Sequence, residues 1–147
     1  MKGAPFEILL VEDNPDHVEL IRRSFAENRV ANRLRTVADG QAALDYLFQR
    51  GIYSDSEQYP RPDVILLDLR LPKVDGLEVL RQIKADEVLQ GIPVVILTTS
   101  SADRDITQAY NHSANSYLVK PVSFEQFSQL MVDLGYYWLG WNRYPWA

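Results

Sequence analysis

Apolar residues in this chain gather in short unbroken runs, separated by longer stretches in which they recur every three or four positions. Ile8-Leu9-Leu10-Val11, Val64-Ile65-Leu66-Leu67 and Val94-Val95-Ile96-Leu97 have no polar interruption. Runs of that length, rich in branched side chains, predict strands buried on both faces. Residues 34–37 and 117–119 predict two shorter strands. Between the runs the spacing becomes helical. Val18, Ile21 and Phe25 share one face, as do Leu44, Leu47 and Phe48, and then Leu77, Leu80 and Ile83. A further helix is expected over residues 103–112, and a last one carries Phe124, Phe127, Met131, Leu134 and Trp138. Five strands alternating with five helices imply right-handed crossovers and a parallel sheet covered on both faces.

The punctuation agrees with this division. Asn14 is suited to cap the first helix with Pro15 at its first position, and Ser123 to cap the last. Asp39-Gly40 and Asp75-Gly76 read as turns, and Gly91 and Pro93 precede the fourth strand. Residues 49–62 form a long polar connection holding Gly51, Ser54, Asp55, Ser56, Pro60 and Pro62, of the kind that is usually functional or mobile. No repeat or linker divides the chain.

Composition narrows the class. The 147 residues suffice for one domain with its own core. No apolar run nears the ~20 residues of a membrane span. The opening Met1-Lys2-Gly3-Ala4-Pro5 lacks the apolar segment of a secretory signal, so a cytoplasmic location is expected. The absence of cysteine excludes disulfides and thiolate metal sites. A formal charge of −5 gives no electrostatic support for nucleic-acid binding.

The chemistry sits where the apolar runs end. The first runs into Glu12 and Asp13, the third into Asp68, the fourth into Thr98 and the fifth into Lys120-Pro121. In a parallel sheet these ends share one edge, where α/β proteins bind ligands. Clustered carboxylates need a neutralising cation, and hard oxygen donors suit Mg²⁺. An aspartate there can attack phosphorus to form an acyl phosphate.

Taken in order, LLVEDNPDHVELI, VILLDLRLPKVDG, PVVILTTS and YLVKP give the chain its identity at the family level. It resembles the receiver domain of two-component response regulators over roughly residues 6 to 135. The resemblance implies a flavodoxin-like, doubly wound (βα)5 fold with strand order 2-1-3-4-5, a receiver domain over 6–139 and an aromatic extension over 140–147. It implies that Asp68 is the phosphoacceptor, serving a sensor histidine kinase. Asp13 would bind Mg²⁺ directly and Glu12 through water, with the Arg70 backbone carbonyl completing the protein's share; Mn²⁺ or Ca²⁺ could substitute. Lys120 would pair with the phosphoryl group, and the Lys120–Pro121 peptide would be cis. Thr98 would be the switch hydroxyl and Tyr117 the aromatic that turns inward with it. Arg70 and Ser100 occupy positions that often tune hydrolysis. The long 49–62 connection and the EDNPDHVELI start look like the cyanobacterial-type phytochrome response regulators, which makes a phytochrome the expected kinase. Thr99 departs from the small alanine usual at its position.

Two features lie outside those motifs. His17 and His112 lack partners at metal spacing and read as helix-face residues. Tyr136, Tyr137, Trp138, Trp141, Tyr144 and Trp146 crowd the C-terminus. Such rings either fold back on their own domain or bury themselves against a second copy. The expected homodimer uses Phe127, Trp138, Trp141 and Trp146. Competing functions are an aspartyl-phosphate phosphohydrolase, which would want a second acid where Arg70 stands, and a partner-binding pseudo-receiver, which would have lost the acidic pair or the lysine. A DNA-binding regulator lacks room after residue ~139 for a helix-turn-helix.

Overall fold

A computed structural model describes residues 5–28 and 31–141, with side chains as far as Leu139. The elements alternate as expected: β1 (Phe6–Val11), α1 (Pro15–Ala26), β2 (Asn32–Val37), α2 (Gly40–Leu47), β3 (Val64–Leu67), α3 (Gly76–Ala85), β4 (Val94–Thr98), α4 (Asp103–Asn111), β5 (Ser116–Val119) and α5 (Phe124–Gly135). The strands form one parallel sheet in the order β2-β1-β3-β4-β5.

The period of two along each strand divides the core. Leu9, Val11, Ile65, Leu67 and Ile96 face α2, α3 and α4, packing with Leu44, Leu47, Val79, Leu80, Ile83 and Ala109. Their neighbours Ile8, Leu10, Val64, Leu66, Val95 and Leu97 face α1 and α5, against Ile21, Phe25, Phe127 and Met131. Helices on both faces explain why these strands are apolar throughout rather than alternating.

Caps set the helix starts. Asn14 Oδ1 accepts from the N–H of Asp16 and His17, with Pro15 at the first helical position. Ser123 Oγ accepts from Gln126 N. Asp39, read as part of a turn, instead caps α2 by accepting from Ala42 N at 2.7 Å. Gly76 permits a close approach: a Cβ there would lie 2.3 Å from the Asp68 carbonyl oxygen and 2.5 Å from Leu69 Cα. Its N–H donates to the Leu69 carbonyl at 2.9 Å, so α3 begins directly against the chain leaving β3.

Two expectations change here. The 49–62 connection contains a 3₁₀ turn (Gly51–Tyr53) and is pinned by aromatic packing. The rings of Tyr46, Tyr53 and Tyr59 meet at 5.1 to 6.0 Å between centroids. The Tyr46 hydroxyl donates to the Pro60 carbonyl at 3.0 Å, and Arg61 Nε to that of Leu47 at 3.1 Å. Burial pushes the Tyr46 phenol up to about 12.

Phe127 and Trp138, expected at a dimer contact, lie in this chain's own core at 4% and 6% exposure. The physical reason is helical spacing: Phe127, Met131, Leu134 and Trp138 form one stripe, which the sheet and α1 cover. After α5 the winding loosens to a π-type turn over Tyr136–Trp141, and Tyr136 and Tyr137 point outward. The Trp141 side chain and Trp146 lie outside the described residues.

Candidate functional site

Backbone bonds continue the ladder past the strand ends and so hold the polar residues in register. Glu12 N donates to Val37 O at 3.0 Å, Asp68 N to Val11 O at 3.1 Å, and Lys120 N to Thr98 O at 2.7 Å. Glu12, Asp68, Thr98 and Lys120 are buried, whereas Asp13 is exposed. The structure therefore brings together the residues named at the ends of β1, β3, β4 and β5.

Glu12, Asp13 and Asp68 each place a carboxylate oxygen within 4.8 Å of the others. The Lys120 ammonium enters this group from the side, bonded to Glu12 Oε1 and, at 3.1 Å, to Asp68 Oδ2. Three carboxylates gathered around one ammonium form an acid-rich group that matches a divalent cation. The donor set, all oxygen, suits Mg²⁺ or Mn²⁺. Burial raises the Glu12 pKa above its usual range, while Lys120 and the Asn14 N–H, bonded to Glu12 Oε2 at 3.1 Å, pull it back.

The other Asp68 oxygen, Oδ1, accepts from Arg70 N at 3.2 Å. The Arg70 side chain turns away to Asp105 on α4, at 2.5 Å from Oδ2. Ser100 Oγ donates to that same oxygen at 2.6 Å, and the Tyr117 hydroxyl donates to the Ser100 carbonyl at 2.9 Å. Thr98 Oγ1 accepts from Ser100 N at 3.5 Å. Tyr117 is half-buried against the core beneath α4, and burial raises its pKa. The loop after β3, the loop after β4, α4 and β5 thus meet around one buried carboxylate.

Two residues of this neighbourhood escaped the sequence reading. Asp105 gave no signal, because a polar residue near a helix start ordinarily faces water. His17 reads from the sequence as a helix-face residue. It lies with Nδ1 3.0 Å from Lys120 Nζ and 3.8 Å from Glu12 Oε1, its ring edge-on to Phe127 at 5.2 Å. Burial, reinforced by the Lys120 charge, lowers its pKa. Its position three residues after the Asn14 cap, on the turn facing the strand ends, was the available hint.

One expectation is corrected: the Lys120–Pro121 peptide is trans, since no cis bond occurs among the described residues. Trans is the lower-energy isomer by about 0.5–1 kcal/mol even before proline. With it the chain already delivers Lys120 N to Thr98 and Nζ to both carboxylates.

The response regulator receiver domain profile matches residues 8–131. A probable methanogenesis regulatory protein, FilR2 of Methanothrix harundinacea, is 52% identical over 141 residues, 96% of this chain and 88% of the relative. Response regulator Rcp1 of Synechocystis is 39% identical over 135 residues, covering 92% of this chain and 90% of Rcp1. The crystal structure of its Mn²⁺-bound form superposes with a TM-score of 0.91, covering 96% of this chain and 99% of that one. The phosphorylated cyanobacterial phytochrome response regulator RcpA superposes with a TM-score of 0.92 at 42% identity, covering 97% and 99%. With the fold, the strand-end acids and these likenesses in agreement, the chain belongs to the response regulator receiver domain family.

Proposed function

We propose that Asp68 is the phosphoacceptor of a two-component phosphorelay and that its modification changes the affinity of this chain for partners in the cytoplasm. The observation that carries this reading is the setting of Asp68: one oxygen on the Lys120 ammonium, the other on the Arg70 N–H, beside Glu12 and Asp13. An Asp68 oxygen attacks the phosphorus of a phosphohistidine. The O–P bond forms as the P–N bond breaks, and the departing imidazole takes a proton from water. Asp13, Asp68 and the Arg70 carbonyl would hold Mg²⁺, with Glu12 acting through water, and the ion would supply positive charge for the phosphoryl oxygens.

Lys120 passes the N–H it now gives to Asp68 to a phosphoryl oxygen. Thr98 moves its hydroxyl toward the new group and Tyr117 follows. The chain catalyses only its own phosphorylation and dephosphorylation. Homodimerisation along the outer side of α5 completes the reading, with the exposed Tyr136 and Tyr137 as contacts and sedimentation as its test.

The likeness to RcpA and Rcp1 supports a phytochrome-type histidine kinase as donor. The higher identity to FilR2 favours, as a second reading, a kinase that senses something other than light. Phosphotransfer rates from one kinase of each type separate the two. The core of the proposal is tested with acetyl phosphate and Mg²⁺: the wild type takes up label and Asp68→Asn does not. Equal labelling of the variant refutes the assignment.

A further inference from the structure

An ammonium group has three N–H donors in tetrahedral array and no acceptor. Two of the donors of Lys120 go to Glu12 and Asp68. The third direction is taken by His17 Nδ1 at 3.0 Å, a hydrogen-bond distance rather than a packing contact. Because Lys120 can only donate, Nδ1 must offer its lone pair, and the ring proton resides on Nε2. His17 is itself anchored. Its backbone N–H donates to Asn14 Oδ1 at 3.3 Å, and its ring rests edge-on against Phe127, a buried residue of α5.

We propose that His17 is a positioning residue for Lys120: its Nδ1 takes the third ammonium hydrogen and so aims the other two at Glu12 and Asp68. Two hydrogen bonds already fix the rotation of the ammonium about Cε–Nζ; the third acceptor resists the swing of the whole group away from the two carboxylates. The lysine then meets an incoming phosphoryl group already oriented, a preorganisation that favours transfer. The Phe127 contact ties this orientation to α5. The rate consequence rests on the phosphoacceptor reading; the hydrogen bond itself does not.

The test uses the full chain and three variants. His17→Leu fills much of the space without an acceptor. His17→Asn returns an oxygen at the bond count of Nδ1, and His17→Gln displaces that acceptor by one bond. The Lys120 ammonium hydrogens are followed by ¹⁵N-correlated NMR, and Asp68 labelling by acetyl phosphate. Urea melts confirm that each variant is folded. The wild type and His17→Asn should show a slowly exchanging Lys120 ammonium signal. His17→Leu should lose that signal and label about tenfold more slowly, as expected for one lost bond to a charged group. Wild-type exchange and labelling in His17→Leu overturn the proposal, as does an asparagine variant as impaired as the leucine one. Should His17→Leu fail to fold, His17→Gln replaces it under the same criteria. If the wild type takes no label, the phosphoacceptor reading falls, and the exchange arm still decides the role of His17.

Discussion

Replacing Lys120 with methionine keeps the apolar stem and removes the charge. The Glu12 side chain is then left 1% exposed and the Asp68 side chain 10% exposed, with no cation between them. Breaking a buried pair by deleting one partner costs about 3–5 kcal/mol. Only Glu12 is fully enclosed and Asp13 is open to water, so the expected loss is at the low end, about 3 kcal/mol. The loss depends on pH with a definite sign. Burial already raises the Glu12 pKa, and losing the opposing pull of Lys120 raises it further. A carboxyl whose folded pKa lies above its unfolded value is fully tolerated below the unfolded value. The penalty grows from the unfolded value upward and is complete above the folded one, so it should be smaller at about pH 4 than at about pH 8. Added Mg²⁺ should replace the missing charge. A ligand at a hundred times its Kd stabilises by about 2.7 kcal/mol, and its Kd should be lower once a competing cation is gone. Urea melts at both pH values, with and without Mg²⁺, measure all of this. Wild-type stability of Lys120→Met at the higher pH without metal, or an equal Mg²⁺ increment in both proteins, refutes the electrostatic account.

Gly76→Ala forces a methyl to within 2.3 Å of the Asp68 carbonyl oxygen, so calorimetry should show a loss of about 3 kcal/mol or more as α3 is pushed off the chain leaving β3. Trp138→Ala should destabilise by about 3–5 kcal/mol in urea, because that ring belongs to the core, while Tyr137→Ala, at an outward position, should change stability by less than about 0.5 kcal/mol. Tyr46→Phe deletes the bond to the Pro60 carbonyl and should cost about 1 kcal/mol at neutral pH. Its phenol is favoured neutral in the fold, so this contribution is complete below the ordinary tyrosine range and vanishes as pH rises through about 12; absorbance titration should show a tyrosine titrating at about 12 that the variant lacks.

The strand-end residues were legible because they sit in the sequence next to unmistakable apolar runs. Local spacing sufficed for Asn14 and Ser123 as caps, since a cap bonds N–H groups only two or three positions on. What escaped was non-local. His17 finds its partner 103 positions away, and Asp105 finds Arg70 35 positions away, across a chain reversal that no periodicity records. The tyrosine triangle draws on positions 46, 53 and 59, which share no helical or strand period and are joined only by the path of the loop. Of the aromatic side chains described near the C-terminus, Trp138 is buried while Tyr136 and Tyr137 face outward, and composition does not say which ring falls on the covered stripe; for Phe127 and Trp138 the covering surface is their own sheet and α1.

Asp105 Oδ2 receives both Arg70 and Ser100, and the Ser100 carbonyl receives Tyr117. In mechanical terms this is a linkage with a common pin. The loops that leave β3 and β4 are drawn as separate in any topology diagram, yet neither can swing without tugging the other or letting go of a shared oxygen. The head of α4 carries that pin, so a displacement of either loop reaches α4 through one shared oxygen.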